Sequence, residues 1–266
     1  MGRIIAVTNQ KGGVGKTTTC VNLAASLAAT RRRVLLVDLD PQGNATMGCG
    51  VNKHELEHTS CDVLLGDAGI HDALVNLEQA GFTLLPGNSD LTAAEVGLMT
   101  AEGREFRLRD ALAAVRNEFD YLLIDCPPSL NMLTLNALAA ADGVLIPVQC
   151  EYYALEGLSA LVDTIDQVRG GVNPHLEIEG LLRTMFDPRN NLTNEVSAQL
   201  SEHFGDKVYG TVIPRNVRLA EAPSHGLPVL VYDRNSNGAM AYLALAGEML
   251  RREARHQAVS LADEVS

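Results

Sequence analysis

Tryptophan is absent from the sequence, and aromatic residues make up only 4% of its 266 residues. Cysteine is also sparse, and no two cysteines form a CxxC pair. A disulfide framework, a zinc site or a cysteine-held iron–sulfur cluster is therefore not expected. The five thiols, which we expect to be reduced and buried, are Cys20, Cys49, Cys61, Cys126 and Cys150.

Long apolar runs and an excess of basic residues are missing as well. No apolar run is long enough to span a bilayer. Because the strand-like segment RIIAVT lies at residues 3–8, we expect neither a signal peptide nor a separate DNA-reading module before it. Acidic residues outnumber basic ones by 33 to 21, which gives a net charge of −12. This balance still permits a local basic patch, because phosphate contacts depend on where the cations lie. We expect a cytoplasmic protein.

Short apolar runs alternate with segments of helical periodicity. The predicted strands are 3–8, 33–38, 82–86, 120–125, 143–148, 177–185 and 208–213. The predicted helices are 16–29, 90–99, 103–117, 130–140, 154–169, 192–204 and 238–255. This alternation predicts an α/β fold with a doubly wound, mostly parallel sheet and helices on both faces. We expect one domain over residues 1–266, with a flexible tail at 256–266.

A glycine-rich segment, NQKGGVGKTTT at residues 9–19, lies between the first predicted strand and the first predicted helix. A phosphate-binding loop requires this strand–loop–helix context. Its glycines let backbone N–H groups turn inward around an anion, Lys16 would neutralise the β- and γ-phosphates, and Thr17 would hold Mg²⁺. The predicted nucleotide-binding residues of the loop are Gly12, Gly13, Val14, Gly15, Lys16, Thr17 and Thr18.

Two further motifs place carboxylates at strand ends, where parallel sheets bind ligands. The strand RVLLVD leads into DLDPQGN at residues 38–44, in which Asp38 and Asp40 can order water around Mg²⁺. The strand YLLID ends in Asp125, which would hold Mg²⁺ through water. Helix capping by Asp38 or Asp40 and a turn at Asp125 are the structural alternatives. An acid near residue 38 could also bind ribose in a dinucleotide-binding enzyme, but GKT and DPQGN argue against that.

One more lysine, Lys11, precedes the first glycine, where an ordinary phosphate loop needs no cation. With it, KGGVGKTT resembles the deviant Walker A box of the ParA/MinD-type ATPases, and the flanking NQ resembles the ParA/Soj branch. This resemblance, which extends from residue 3 to about 255, implies a P-loop NTPase fold of the SIMIBI type and slow, Mg²⁺-dependent ATP hydrolysis. It implies that Lys11 reaches the nucleotide of a partner subunit. It also implies that Asp40 orients the attacking water and that Asp38 supports the metal and water network.

The segment IPRNVRLAEAPSHGLPV at residues 213–229 resembles the same branch. In that family, the positions of Pro214 and Asn216 flank and hydrogen-bond the adenine of ATP or ADP. Met185 would pack on the base or, equally well, belong to the core. Glu151 would face the partner's lysine or ribose, although an acid at a helix N-terminus is an equal alternative.

The resemblance alone implies the partners. They are a second copy of the chain in an ATP-dependent homodimer, nonspecific double-stranded DNA of the nucleoid, and a ParB-like centromere-binding protein that stimulates hydrolysis. Such DNA contacts would be made with phosphates and would be salt-dependent. The arginines predicted to form one basic surface on the dimer are Arg189, Arg218, Arg251, Arg252 and Arg255.

Two alternatives remain open at this point. A relative could position another cargo, such as a chemoreceptor array, a flagellum or a carboxysome, or it could be a MinD-like regulator bound to a membrane. A MinD-like protein needs a basic amphipathic C-terminal helix. Here the C-terminal segment LRREARHQAVSLADEVS begins basic but ends with Asp263 and Glu264, so we expect no membrane partner.

Overall fold

The computed structural model describes the backbone of residues 1–264 and the side chains of residues 1–255 and 258. Its strands form one sheet, in which neighbouring strands are parallel except for one antiparallel pair at an edge. The strands are β1 (Arg3–Val7), β2 (Val34–Asp38), β3 (Val75–Leu77), β4 (Phe82–Leu85), β5 (Tyr121–Asp125), β6 (Gly143–Gln149), β7 (Glu177–Phe186) and β8 (Val208–Pro214). Their order is β3-β4-β2-β5-β1-β6-β7-β8.

The predicted doubly wound, mostly parallel sheet is confirmed, and each predicted strand has a counterpart. The antiparallel edge strand β3 was not predicted. It has only three residues, none of them fully buried, so it lacks the apolar run that marks the other strands.

The helices cover both faces of the sheet. They are α1 (Lys16–Ala29), α2 (Asn44–Gly48), α3 (Ser60–Leu65), α4 (Ile70–Ala73), α5 (Leu91–Leu98), α6 (Arg107–Val115), α7 (Met132–Ala140), α8 (Ala154–Gly170), α9 (Asn191–Phe204), α10 (Val217–Glu221), α11 (Val229–Tyr232) and α12 (Asn237–Glu264). The short helices α2, α3, α4, α10 and α11 were not predicted, because four to six residues carry too little periodicity. Within the described backbone, no helix is both long and apolar enough to cross a bilayer.

The last helix is longer than predicted. It continues to Glu264 instead of ending near residue 255, so most of the predicted tail is helical. Residues 265 and 266, the end of that tail, lie outside the described residues. The flexibility of the tail stays a prediction.

Two apolar layers sandwich the sheet and make it a single α/β domain, as predicted. One layer packs α3 to α9 on one face, and the other packs α1, α2 and α10 to α12 on the opposite face. Because β2, β5 and β1 are neighbours, the residues that follow their carboxyl ends meet at one edge of the sheet. Asp38 and Asp125 are direct partners in the β2–β5 register.

Candidate nucleotide-binding site

The segment between β1 and α1 forms a loop that can receive phosphates. Gly13 and Gly15 have φ of 74° and 88°, in the left-handed region that glycine adopts without steric cost. Gly15 is the N-cap of α1 and makes no side-chain capping bond, so the first N–H groups of the helix face the loop. A Cβ atom at Gly12 or Gly13 would meet no atom within 4 Å, which leaves the outer side of the loop open.

Lys16 points into this loop. Its residue is only 7% exposed, and its Nζ donates a hydrogen bond to the backbone carbonyl of Lys11 at 3.2 Å. Burial lowers the pKa of Lys16, and the charges of Asp125 and Asp40 oppose that shift. A phosphate bound in the loop would therefore meet a largely desolvated cation.

Lys11 points the other way. Its Nζ lies 2.6 Å from Glu151 Oε2, and both side chains are more than 40% exposed. Its backbone N–H donates to Asn9 Oδ1 at 3.0 Å, while Asn9 Nδ2 donates to the carbonyl of Pro147 at 2.8 Å. The loop is thereby tied to β6, and the Lys11 side chain stands on its outer surface beside Glu151, two residues after the end of β6.

Asp38 is fully buried, and hydrogen bonds occupy both of its carboxyl oxygens. Oδ1 accepts from the backbone N–H of Asp40 at 3.2 Å, and Oδ2 accepts from the backbone N–H and the hydroxyl of Thr46 at 2.8 and 2.7 Å. Burial raises the pKa of Asp38 to about 6, against the effect of these bonds. Its contacts favour a role in positioning Asp40 and α2 over direct coordination of a metal.

Asp125 is the candidate metal-binding carboxylate. Its Oδ1 accepts a weak bond from the Cys20 thiol at 3.6 Å, and its buried Oδ2 has no hydrogen-bond partner in the described structure. Burial and then the charge of Asp38 raise the pKa of Asp125 well above its usual range, and the Thr17 side chain opposes the shift. A buried carboxyl oxygen without a partner, near a threonine hydroxyl, is a donor set that suits hydrated Mg²⁺. The residues present therefore fit the metal.

Asp40 begins the turn that follows β2. It is 8% exposed, and its Oδ1 accepts from the backbone N–H of Gln42 at 2.9 Å. Its charge is near enough to Lys16 to act on the pKa of that lysine. Asp40 therefore lies beside the loop interior, where a group that orients water at the phosphates must stand.

A mostly apolar cavity of about 410 Å³ adjoins the loop. It is lined by Gly15 and Thr18 of the loop and by the predicted adenine contacts Met185, Pro214 and Asn216. Its position beside the phosphate loop and its apolar lining suit a nucleotide base. Whether these three residues contact the base stays a prediction.

The comparisons with known proteins agree with this geometry. A family model described as an AAA domain matches residues 2–178. The sequence is 67% identical over 255 residues to an uncharacterized protein of Pseudomonas putida, covering 96% of this chain and 97% of that protein. It is 53% identical over 258 residues to the chromosome partitioning protein ParA of Caulobacter vibrioides, covering 96% of this chain and 97% of that protein. It is 55% identical over 249 residues to the sporulation initiation inhibitor protein Soj of Bacillus subtilis, covering 94% of this chain and 98% of that protein.

The chain belongs to the ParA/Soj family of ATPases. The resemblance read from the deviant phosphate loop is thereby confirmed, and with it the assignment as an ATP-hydrolysing enzyme.

Solved structures support the same fold for this ParA/Soj-family ATPase. One, described as cobyrinic acid a,c-diamide synthase from Mycobacterium smegmatis with bound ADP and magnesium, is 41% identical, with 96% of each chain covered and a TM-score of 0.84. Another, the cell division ATPase MinD of Pyrococcus furiosus, is 28% identical, with 94% of this chain and 99% of that chain covered and a TM-score of 0.78. The P-loop NTPase fold expected from the sequence is confirmed.

Two of the arginines predicted to contact DNA lie at the carboxyl edge of the sheet, and both have acidic partners. Arg189 follows β7, and its Nε and Nη2 donate to the two carboxyl oxygens of Asp187 at 2.9 and 2.8 Å. Arg218 lies on α10 and pairs with Glu221 at 2.7 Å and with Asp233 at 3.2 Å.

The other three predicted arginines lie on α12, away from that edge. Gly238, near the start of α12, packs against Leu219 of α10, and a helix rises about 20 Å over the 13 residues from there to Arg251. The predicted single basic surface is therefore divided, because α12 runs toward the amino edge of the sheet. Arg251 and Arg255 are exposed there.

Arg252 is held by contacts within the fold, and its contact with DNA stays a prediction. Its guanidinium donates to the backbone carbonyls of Asp206 and Val208, both at 2.8 Å, and to Glu248 Oε1 at 2.9 Å. It also lies over the ring of Tyr209, 4.1 Å from the centroid. These contacts tie α12 to β8 and leave the guanidinium few donors for phosphate.

Sequence reasoning missed several residues that hold the site together. The Thr184 hydroxyl donates to the backbone carbonyl of Val14 at 2.8 Å and so ties β7 to the phosphate loop. Thr46 supports Asp38, and Asn9 supports Lys11. The asparagine stands in the quoted NQKGG motif and could have been noticed, whereas the two threonines carry no local signal.

Proposed function

We propose that this ParA/Soj-family ATPase is a switch of chromosome or plasmid partitioning in the cytoplasm. Two ATP-bound subunits form a sandwich dimer that binds DNA nonspecifically, and hydrolysis, stimulated by a ParB-like protein, releases it. The observation that carries the proposal is the opposed orientation of two lysines of one loop. Lys16 points inward to its own phosphate site, and Lys11 points outward from the exposed rim of the loop.

Within one subunit, the loop and the neighbouring strand ends bind ATP. The backbone N–H groups of the loop and Lys16 bind the phosphates, and the adenine enters the cavity beside Thr18. Thr17 and, through water, Asp125 would hold Mg²⁺, which would supply positive charge for the phosphates. Asp40 orients the attacking water, and Asp38 fixes the backbone of Asp40.

The second subunit completes the site. Transfer of the γ-phosphoryl group requires a cation that stabilises the developing charge, and Lys16 is the cation already inside the loop. Lys11 of the opposite subunit supplies a further one, since the open surface at Gly12 and Gly13 admits a second chain at close range. Exposed ion pairs hold their partners weakly, so Lys11 exchanges Glu151 for phosphate when the subunits meet.

DNA binding is assigned to the carboxyl edge, where Arg189 and Arg218 lie on the loops that follow β7 and β8. Their contacts with phosphate position the dimer without reading base sequence. Because the same edge carries the nucleotide, separation of the subunits after hydrolysis would divide this surface and release the DNA. DNA binding at this carboxyl-edge surface would thus require ATP.

The dimer is tested by sedimentation velocity and by ATP hydrolysis in three lysine variants. Wild-type protein should dimerise with ATP and not with ADP. Lys16→Ala should lose nucleotide binding, and Lys11→Ala should bind ATP with wild-type affinity but fail to dimerise or to hydrolyse. Lys207→Ala, a matched change at the opposite edge of the sheet, should behave as wild type. Wild-type hydrolysis by Lys11→Ala would contradict the proposal.

The partners are tested by hydrolysis and co-sedimentation. With ATP and Mg²⁺, hydrolysis should rise when DNA and a ParB-like protein are added together, by more than with either alone. Co-sedimentation with liposomes but not with DNA would assign the protein to the membrane-bound alternative and would contradict DNA binding.

A further inference from the structure

The amino edge of the sheet carries four exposed arginines, which we call the amino-edge patch: Arg31, Arg32, Arg251 and Arg255. The first two stand in the turn between α1 and β2, and the other two on the outer side of α12. These two elements border one cavity of about 300 Å³, with Arg32 on one wall and Leu250 and Ala254 on the other. The four positive charges therefore come from two distant segments that the fold brings together.

The arginines of the patch are not held in direct ion pairs. Among the side chains that the structure describes, none of the four arginines forms an ion pair. The cavity also carries two acids: Asp120 binds Arg33 at 2.9 Å and lies near Arg32, and Glu253 accepts from the Tyr121 hydroxyl. With Arg33, five arginines at this edge face these two acids, and the excess of positive charge favours an anionic partner.

Arg31 adds an observation of a different kind. It follows the C-cap of α1 with φ of 65°, and its N–H donates to the carbonyl of Ala28 at 2.8 Å. The N–H of Arg32 donates to the carbonyl of Leu27 at 3.2 Å, which completes a Schellman motif. Glycine is the usual residue at such a position, because any side chain there is strained. The chain carries an arginine at a position where glycine would be more stable, which points to a use for its charge.

We propose that the amino-edge patch is a second surface for the backbone of duplex DNA, separate from the surface of Arg189 and Arg218. The inference rests on the proposed function. The two surfaces lie about 20 Å apart along α12, at opposite edges of the sheet. In the proposed sandwich the carboxyl edges face each other, so the two patches point outward. A dimer can then hold one DNA segment at its centre and others at its ends.

The chemistry of the patch favours DNA over an anionic membrane. Binding of a helix to lipid requires an exposed apolar stripe beside the cations. In the described side chains of α12, the exposed large apolar residue is Met240, three turns before Arg251, whereas Tyr242, Leu245, Met249 and Leu250 pack on the domain. Arginine also binds phosphate groups with two parallel hydrogen bonds, which suits a line of phosphodiesters.

The test is the salt dependence of duplex affinity, measured by fluorescence anisotropy with a non-hydrolysable ATP analogue. Loss of two phosphate contacts in the double variant Arg251→Gln, Arg255→Gln should reduce the slope of log K against log salt by about 1.8. Arg31→Gly should reduce it by about 0.9 without loss of thermal stability, so misfolding cannot explain the result. Arg109→Gln on α6, on the other face of the sheet, should leave the slope unchanged.

A capture assay distinguishes two surfaces from one. Beads that carry a duplex should retain a second, fluorescent duplex through the wild-type protein, and the double variant should lose this retention while still binding the first duplex. An unchanged slope in the double variant, together with a reduced slope in Arg218→Ala, would overturn the inference and leave the proposed function intact. Absence of duplex binding by wild type would overturn both. If the double variant lost binding to phosphatidylglycerol vesicles but kept wild-type duplex binding, the patch would be assigned to lipid, and this result would also overturn the inference.

Discussion

Thr46 holds the Asp38 carboxylate at the end of β2, and replacing Thr46 with valine tests how much this contact stabilises the protein. Its hydroxyl donates to Asp38 Oδ2 at 2.7 Å and accepts from the backbone N–H of Gly87 at 2.9 Å. Thr46 itself is fully buried. Valine keeps the shape of the side chain and removes both hydrogen bonds, so the change isolates their contribution.

The expected cost follows from the two groups left without a partner. A hydrogen bond to a carboxylate contributes about 1.5–3 kcal/mol, and a buried N–H without an acceptor costs about 1–3 kcal/mol. Asp38 keeps its bond from the backbone N–H of Thr46, so the lower part of each range applies and the free energy of unfolding should fall by about 3 kcal/mol. For a chain of this size, that loss corresponds to a decrease in Tm of about 5 °C.

The measurement is urea denaturation followed by circular dichroism, without nucleotide, on Thr46→Val beside a matched control. Thr193→Val is that control, since Thr193 is also buried but its hydroxyl bond, to the Cys150 carbonyl, is long at 3.5 Å. The control should lose less than about 1 kcal/mol. Equal losses in the two variants would refute the argument, because they would show that the bonds to Asp38 and Gly87 contribute no more than a marginal one.

Three further changes have defined outcomes. Asp125→Asn should abolish Mg²⁺-dependent hydrolysis, yet it should stabilise the nucleotide-free protein by about 1–2 kcal/mol at neutral pH, since it removes a buried charge whose Oδ2 has no partner. Because the folded-state pKa of Asp125 is raised, wild type gains stability as the pH falls. The stability advantage of Asp125→Asn over wild type should therefore become smaller in thermal melts toward acidic pH, and an advantage that stays constant with pH would contradict the reasoning. Arg31→Gly should raise the free energy of unfolding by about 1 kcal/mol in urea titrations, and a loss would show that its φ of 65° is not costly. Thr184→Val should weaken ADP binding several-fold in calorimetry by loosening the loop from β7, whereas unchanged affinity would make its bond to Val14 incidental.

The parts of the site that were predictable are those written in consecutive residues. The loop at residues 9–19, the acids after β2 and the acid that ends β5 each combine a strand with a polar residue at its end. The parallel order of the sheet then brings them together, because β1, β2 and β5 are neighbours. Local motif and fold class together were enough to place these residues at one edge.

The parts that were not predictable depend on contacts between distant segments. Thr184 and Val14 are 170 positions apart, and a threonine inside a strand gives no sign that it binds a loop. The separation of the predicted arginines into two sets could not be predicted for a related reason. Helical periodicity shows which residues share a face of α12 but not which edge of the sheet each end approaches. The packing of Gly238 against Leu219 settles that direction.

Exposure separates the charges that hold the fold from the charges proposed to act on ligands. The Arg252–Glu248 pair has side chains only 22% and 16% exposed and makes further bonds to backbone groups, so it is fixed in place. The Lys11–Glu151 pair is 42% and 45% exposed, and exposed pairs are weak and screened by salt. A cation that must leave its partner to meet phosphate has to be held by an exposed, weak pair of this kind. By that criterion the exposed pair of Lys11 is compatible with its proposed role across a dimer, whereas Arg252 is fixed between α12 and β8.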